Sequence, residues 1–119
     1  MNFRFTKFKV YAEAKELHRI TVNLTRKFSK EYAYLKEQLR RASLSIILNI
    51  AEGSAKKSDK DFNRYLENSL GSVNELAAGF DVAFDQKQIT EEELKLVLQK
   101  ALSVKNQLGG FSKKLRVNS

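Results

Sequence analysis

The single histidine, His18, is the residue of this sequence best suited to acid–base chemistry near neutral pH, and it stands on a predicted helix beside Arg19. Helical ribonuclease domains place an arginine five to seven positions before a catalytic histidine, but Tyr11, Ala12 and Glu13 occupy those positions here. His18 is therefore expected at the surface or edge of its helix, and no catalytic residue is predicted.

Other reactive side chains and ligand sets are also missing from the sequence. The chain has no Cys, so it offers no disulfide framework, thiolate ligand or thiol nucleophile, which fits a reducing compartment such as the cytoplasm. No cluster of His and carboxylates has the spacing of a metal site, and no Gly-rich loop could hold a phosphate. The sequence predicts a protein that is not an enzyme and has no cofactor or metal.

Positive charge is the strongest chemical feature of the chain. The 119 residues include 22 Lys and Arg against 14 Asp and Glu, for a net charge of +8. Residues 1–30 have a net charge of +6 and residues 88–119 have +3, whereas the middle of the chain is nearly neutral. Such an excess indicates a polyanionic partner, although it also keeps an ordinary protein dispersed. The predicted nucleic-acid contacts are Arg4, Lys7, Lys9, Arg26, Lys27, Lys56 and Lys57.

The segment 1–7 forms a predicted N-terminal arm in which aromatic and cationic residues alternate. Phe3, Phe5 and Phe8 are interleaved with Arg4 and Lys7. Such rings could stack on unpaired bases while the cations bind phosphates. Alternatively, an extended arm lays its Phe side chains over one end of the domain, and this second reading is favoured.

Hydrophobic periodicity predicts four helices, at about residues 8–29, 33–52, 58–86 and 90–115. Apolar residues recur every three or four positions in three of these segments, and the chain contains no Pro to interrupt them. Short connections force neighbouring helices to alternate in direction. We therefore expect an all-α fold, an antiparallel up-and-down four-helix bundle forming a single domain over 1–119.

Local sequence also predicts where the helices end. Thr90 and Glu93 match a capping box, and Ser58 with Asp61 begins the third helix. Gly53 is expected to end the second helix in a left-handed conformation. The pair at 109–110 is a weak point of the fourth helix, interpreted either as a hinge or, preferably, as fraying near its end.

The second predicted helix is apolar on two sides. One side matches the core, whereas a second lies where solvent is expected and consists of Leu44, Ile47, Leu48 and Ala51. A second copy of the chain is the simplest cover for this face. The alternative cover is the N-terminal arm or the last turns of the fourth helix.

A narrow polar stripe separates those two apolar sides. Buried charges such as Arg41 or Glu52 need partners, and the third helix offers Ser72 and Glu75. We predict an interhelical network that serves packing rather than catalysis. Its members are Gln38, Arg41, Ser45, Asn49, Glu52, Ser72 and Glu75.

The longest uncharged run, residues 42–51, is ten residues long and contains three polar ones. A membrane-spanning helix needs about twenty apolar residues, and the N-terminus lacks the apolar core of a signal peptide. The sequence therefore predicts a cytoplasmic protein without a membrane partner.

The same positions resemble a known family. The runs Gln38–Ala42 and Asn49–Gly53, followed by Phe62, Tyr65–Leu66 and Gly71–Ser72, are similar to the pattern of proteins encoded in intervening sequences of bacterial 23S ribosomal RNA genes. The similarity spans about residues 8–115. Ser29 stands where that family often has Pro, Ser69 stands where it has a small apolar residue, and the first loop is a residue shorter.

The resemblance implies a helical bundle that assembles into a homopentamer. It also implies similarity to the basic accessory proteins of diversity-generating retroelements, which bind nucleic acid and a reverse transcriptase. We therefore expect a homo-oligomer that binds RNA or DNA with little sequence preference. The alternative is an adaptor or scaffold that contacts a protein partner without binding nucleic acid itself.

Overall fold

The computed structural model describes residues 3–118 and contains four long helices. Helix α1 spans Lys9–Thr25, α2 Ala33–Ser54, α3 Asp59–Asp85 and α4 Glu91–Asn118. Two short 3-10 helices, Arg4–Lys7 and Lys30–Tyr32, precede α1 and α2. No strand occurs in this part of the chain, so the predicted all-α class is confirmed.

The helices are arranged as an up-and-down bundle. Each helix packs against the next one along the chain, and α1 closes the ring by packing against α4. The most extensive packing joins α2 to α3, and the bundle measures 46 × 26 × 19 Å. Because direction alternates, the start of α1 lies at the same end as the last turns of α4 and the α2–α3 loop.

Apolar stripes with helical spacing meet along the bundle axis. Leu17, Ile46, Leu66, Leu76 and Val104 are fully buried members of one continuous core. Three buried hydroxyls donate to backbone carbonyls. Within α1, Thr21 donates to Leu17 O at 2.8 Å and Thr25 to Thr21 O at 2.7 Å, and Ser69 donates across the helices to Ile46 O at 3.0 Å. A hydroxyl bonded in this way loses little by burial.

Both predicted N-caps of α3 and α4 are present. The Ser58 hydroxyl accepts from Asp61 N at 3.1 Å. Thr90 Oγ1 accepts from Glu93 N at 3.1 Å, and Glu93 Oε1 accepts from Thr90 N at 2.9 Å, which is a complete capping box.

Helix α1 ends at Thr25, four residues before the predicted end. Arg40 of α2 explains the early end, because its guanidinium donates to Val22 O at 3.1 Å and to Thr25 Oγ1 at 2.9 Å. Carbonyls at a helix C-terminus lack intrahelical donors, and a basic side chain can replace those donors.

Helix α4 continues through Gly109 and Gly110 without a break, so neither a hinge nor fraying is found there.

Gly53 has a different role from the one predicted. It lies inside α2, and no glycine in residues 3–118 has a positive φ. A Cβ at Gly53 would lie 2.7 Å from Tyr65 Cβ and 2.9 Å from Phe62 Cδ1. Gly53 therefore permits the close approach of α2 and α3, whereas a Cβ at Gly71 would meet no atom within 4 Å.

The N-terminal arm is folded against the bundle rather than extended. Its first two residues lie outside the described range, and residues 4–7 form a 3-10 helix. The Phe8 ring lies 5.1 Å from Phe111 and 6.1 Å from Phe62, so it covers the end of the core. Phe3 remains 61% exposed. Coverage of the bundle end by Phe8 is thus confirmed, and an extended arm is wrong.

Candidate nucleic-acid interface

Three separate stretches of the chain meet at one end of the bundle. The arm contacts the end of α2, where Arg4 Nη1 donates to Ser54 O at 3.3 Å. The start of α3 contacts the end of α4, where the Ser112 hydroxyl bonds Asn63 Oδ1. We call residues 3–9, 51–64 and 110–117 the basic end.

The basic end carries most of the net charge of the chain. It contains ten Lys and Arg against three Asp and Glu, a net of +7, whereas the whole chain has +8. All ten cations belong to helix ends or to the adjoining segments. They are Arg4, Lys7, Lys9, Lys56, Lys57, Lys60, Arg64, Lys113, Lys114 and Arg116.

Two of these cations are held by aromatic rings rather than by carboxylates. The Arg4 guanidinium lies 5.2 Å from the Phe62 ring centroid and 5.8 Å from that of Phe8. Lys56 Nζ lies 5.1 Å from the Tyr65 ring centroid. A cation over a ring is positioned without being neutralised, so both charges still contribute to the field at this end.

Lys7 and Lys9 line an open groove between the start of α1 and the last turns of α4. Lys57 is exposed in the α2–α3 connection. Together with Arg4 and Lys56, five of the seven cations predicted as nucleic-acid contacts therefore lie at the basic end.

The other two predicted contacts, Arg26 and Lys27, lie at the opposite end of the bundle. Lys27 Nζ is 2.5 Å from Glu93 Oε1, in an ion pair that joins α1 to α4. The hydrogen bond from Lys27 and the capping bond from Thr90 N lower the pKa of Glu93. We call residues 23–36 and 81–95 the loop end, which contains six basic and six acidic residues.

Five basic-end cations were not singled out from the sequence: Lys60, Arg64, Lys113, Lys114 and Arg116. Each lies within two turns of a helix terminus, in α3 or α4. The signal that would identify them is helix direction, because alternating helices bring the start of α3 and the end of α4 beside the arm.

The predicted polar network between α2 and α3 forms in part. Gln38 Nε2 donates to Glu75 Oε2 at 2.5 Å, and the Ser45 and Ser72 hydroxyls are 3.0 Å apart. Asn49 Nδ2 donates to Ser45 O at 2.9 Å within α2. These contacts fix the register of the two helices.

Arg41 and Glu52 do not join that network within one chain. Both side chains are exposed, and neither makes a hydrogen bond or ion pair inside residues 3–118. Their predicted burial in a monomer is wrong, because α3 packs on a neighbouring side of α2 and does not cover these two side chains. Arg41 and Glu52 instead line a shallow groove of about 310 Å³ beside Leu44 and Leu48.

The second apolar side of α2 is narrower than predicted. Leu44 and Leu48 are 42% and 54% exposed, and Ala51 is half-buried. Ile47 is only 7% exposed and belongs to the core of the single chain. Its assignment to the solvent-facing side is wrong, because α1 and α3 both pack on α2 and the core covers more of that helix than one stripe.

His18 has a structural environment. Its Nδ1 lies 2.7 Å from the Ser43 hydroxyl, which donates to Arg40 O at 3.1 Å. Burial, and then the Arg40 charge, lower the pKa of His18 and favour the neutral ring. Ser43 is fully buried, so no substrate can reach its hydroxyl.

Residues 3–118 contain no group of three His, Cys, Asp or Glu placed to hold a metal ion. Among the helices of this range, none combines the length and the apolar character that crossing a membrane requires.

Comparisons with known proteins agree with the fold. The family described as 23S rRNA-intervening sequence protein matches residues 6–110. Among solved structures, the chain is similar to a protein of unknown function from the S23 ribosomal protein family of Bacteroides thetaiotaomicron. The TM-score is 0.82 at 23% identity, covering 87% of this chain and 98% of that one. No curated protein matches the sequence.

Proposed function

Because the chain belongs to the 23S rRNA-intervening sequence protein family, we propose that it is a non-enzymatic protein that binds nucleic acid through its basic end. Lys and Arg side chains there neutralise phosphates and release condensed counterions. Contacts of this kind position a strand but carry little sequence information. The proposed ligand is RNA or DNA with low sequence preference.

The unequal charge of the two bundle ends carries this proposal. A net charge of +7 collects at the basic end, while the loop end is balanced at six against six. Charges spread merely for solubility would have no reason to gather at one end. A concentrated field of one sign raises the local concentration of a polyanion and speeds its association.

The proposal includes self-association through α2. Exposed Leu44 and Leu48 lie beside Arg41 and Glu52, and these two charges have no partner inside residues 3–118. A second copy would cover the leucines and could pair the charges. Five copies, the number that the family resemblance implies, would carry a net charge of about +40.

Catalysis is not proposed, because the hydroxyl of the His18–Ser43 pair is buried. When Ser43 donates to Arg40 O, its hydroxyl can only accept from His18. A serine nucleophile requires the opposite arrangement, in which histidine accepts the hydroxyl proton. Ribonuclease assays of the wild type and His18→Ala should give equal background activity.

The test is binding of generic RNA across a salt series, with native mass measured on the same samples. Electrostatic binding predicts that affinity falls at least about tenfold between 0.05 M and 0.2 M salt. An oligomeric mass with bound RNA at low salt supports the proposal. Absence of RNA binding at about 0.1 M salt, with one protein co-purifying, would instead favour an adaptor.

A further inference from the structure

An open groove of about 500 Å³ lies at the basic end, between the start of α1 and the last turns of α4. Its volume is within the range of small-molecule sites in proteins. This groove shares no lining residue with the groove beside Leu44 and Leu48 on the α2 face proposed for self-association. It is lined by Lys7, Phe8, Lys9, Val10, Gln107, Gly110, Phe111 and Lys114.

The wall of the groove is aromatic and held in place. Phe8 and Phe111 are each half-buried and meet edge to face at 5.1 Å. Both rings rest on fully buried Phe62, at centroid distances of 6.1 Å and 5.1 Å. Rings fixed by a core lose little conformational entropy when a flat ligand packs against them.

The rim of the groove is cationic. Lys7, Lys9 and Lys114 are exposed, and in the described part of the chain none of them has an ion-pair partner within 4.0 Å. The nearby carboxylate of Glu13 is already engaged, because Gln107 donates to it at 2.5 Å and Lys100 lies 3.9 Å away. Hydrogen bonds from Ser103 and Gln107, then the charge of Lys100 and, as the smallest contribution, that of Lys9 lower the pKa of Glu13.

Gly110 keeps the groove open. It is exposed within α4, and a Cβ built there would meet no atom within 4 Å. A glycine inside a helix is unfavourable relative to alanine, and packing gives no reason for one at this position. Because Gly110 lines the groove, a long side chain at this position can occupy part of it.

We propose that this groove binds an unpaired base of single-stranded nucleic acid. The base packs against Phe8 and Phe111, and Lys7, Lys9 and Lys114 contact the phosphates on either side of it. This proposal rests on the proposed function and names the strand state that the basic end prefers. A duplex keeps its bases stacked inside, so it can reach only the lysines.

Charge decides between a base and an apolar peptide segment as the occupant. A peptide could use the rings, but it would leave three lysines on the rim without counter-charges. A nucleotide supplies a flat apolar surface and phosphates within one unit, and combined ring and cation contacts are typical of single-strand binding. The groove therefore fits the nucleic acid better than the peptide.

The test fills the groove without disturbing the fold. Gly110→Leu adds a side chain into open space, and Gly71→Leu, at an exposed and equally open position of α3, is the matched control. Binding of a 12-nucleotide oligo-uridine and of a duplex RNA of equal length is measured by fluorescence anisotropy. We expect Gly110→Leu to weaken the single strand at least about fivefold and the duplex less than about twofold. Gly71→Leu should change neither affinity.

Crosslinking of the wild-type protein provides a readout that does not depend on a variant. Single-stranded RNA containing 4-thiouridine should crosslink to residues 7–9 or 110–114. Crosslinks confined to residues 51–64, or an unchanged single-strand affinity in Gly110→Leu, would overturn the groove while leaving the proposed function standing. If the wild type binds neither the single-stranded nor the duplex RNA, both proposals are overturned.

Discussion

The basic end and the loop end contain equal numbers of residues but use charge differently. At the loop end, Lys27 pairs with Glu93, and Glu93 also caps α4 through Thr90. At the basic end, Arg4 and Lys56 lie over aromatic rings, which position the cations and leave their charge uncompensated. The Lys27–Glu93 pair at the loop end joins separate parts of the fold, whereas Arg4 and Lys56 at the basic end keep a charge that a partner can meet.

The apolar support of the two ends differs in the same way. Phe62 is 1% exposed and carries Phe8, Phe111 and Arg4 at the basic end. Phe84, near the loop end, is 38% exposed. The cationic surface therefore lies on a buried aromatic cluster. The loop end also has a buried phenylalanine, Phe28, but within residues 3–118 no cation lies over its ring.

The largest expected effect is the difference in stability between the Phe62→Ala and Phe84→Ala variants. Phe62→Ala should lower the free energy of unfolding by about 3–5 kcal/mol, because it leaves a cavity under the arm and removes the ring beneath Arg4. Phe84→Ala should cost less than about 1 kcal/mol, since the ring is already partly in water. Urea denaturation of both variants measures the difference. Equal losses would contradict the contrast between the ends.

A smaller effect tests whether loop-end charge stabilises the fold. Glu93→Gln should lower the free energy of unfolding by about 1 kcal/mol at pH 7, since it removes the ion pair with Lys27 and weakens the cap. The pKa of Glu93 is lowered in the folded state. Its contribution is therefore present above the pKa of the unfolded chain and is lost as pH falls through the lower folded value.

The pH dependence of the stabilisation by Glu93 can be checked by thermal melts between pH 7 and pH 2. The wild type should lose its advantage over Glu93→Gln progressively as the medium becomes acidic below about pH 4.5. A constant difference in melting temperature across that range would show that the Glu93 carboxylate does not provide the stabilisation.

The smallest effect concerns the α3–α4 turn at the loop end. Lys87 has a φ of 61°, in the left-handed region that favours glycine. Lys87→Gly relieves this strain but increases the entropy of the unfolded chain, so the net gain should be at most about 0.5–1 kcal/mol. RNA affinity should be unchanged. A marked loss of affinity would extend the binding surface to the loop end.

Sequence periodicity was sufficient for the fold class because each helix carries a regular apolar stripe. It did not predict the burial of Ile47 or the exposure of Arg41. The angular positions of residues on an isolated helix do not show how much of that helix each neighbour covers. The end of α1 was missed for a related reason. One C-terminal carbonyl, Val22 O, and the Thr25 hydroxyl accept from Arg40, which is fifteen residues away from Thr25 in sequence.

The candidate site was partly predictable. The cations of the arm and of the α2–α3 loop were identified from the sequence, but charge counted along the chain placed the excess in the first and last quarters. Folding adds Lys60, Arg64, Lys113, Lys114 and Arg116 to the arm and separates Arg26 and Lys27 from it. Spatial grouping of distant helix ends is the information that a linear charge count lacks.

The most direct test of the central claim compares RNA binding by two triple variants that lose the same charge from opposite ends. The basic-end variant is Lys57→Gln, Lys60→Gln and Lys113→Gln, and the loop-end variant is Lys30→Gln, Lys36→Gln and Lys95→Gln. The slope of log affinity against log salt should decrease in magnitude by about 2–3 for the first and remain at the wild-type value for the second. Equal decreases in the two variants would contradict the claim that the basic end is the nucleic-acid interface.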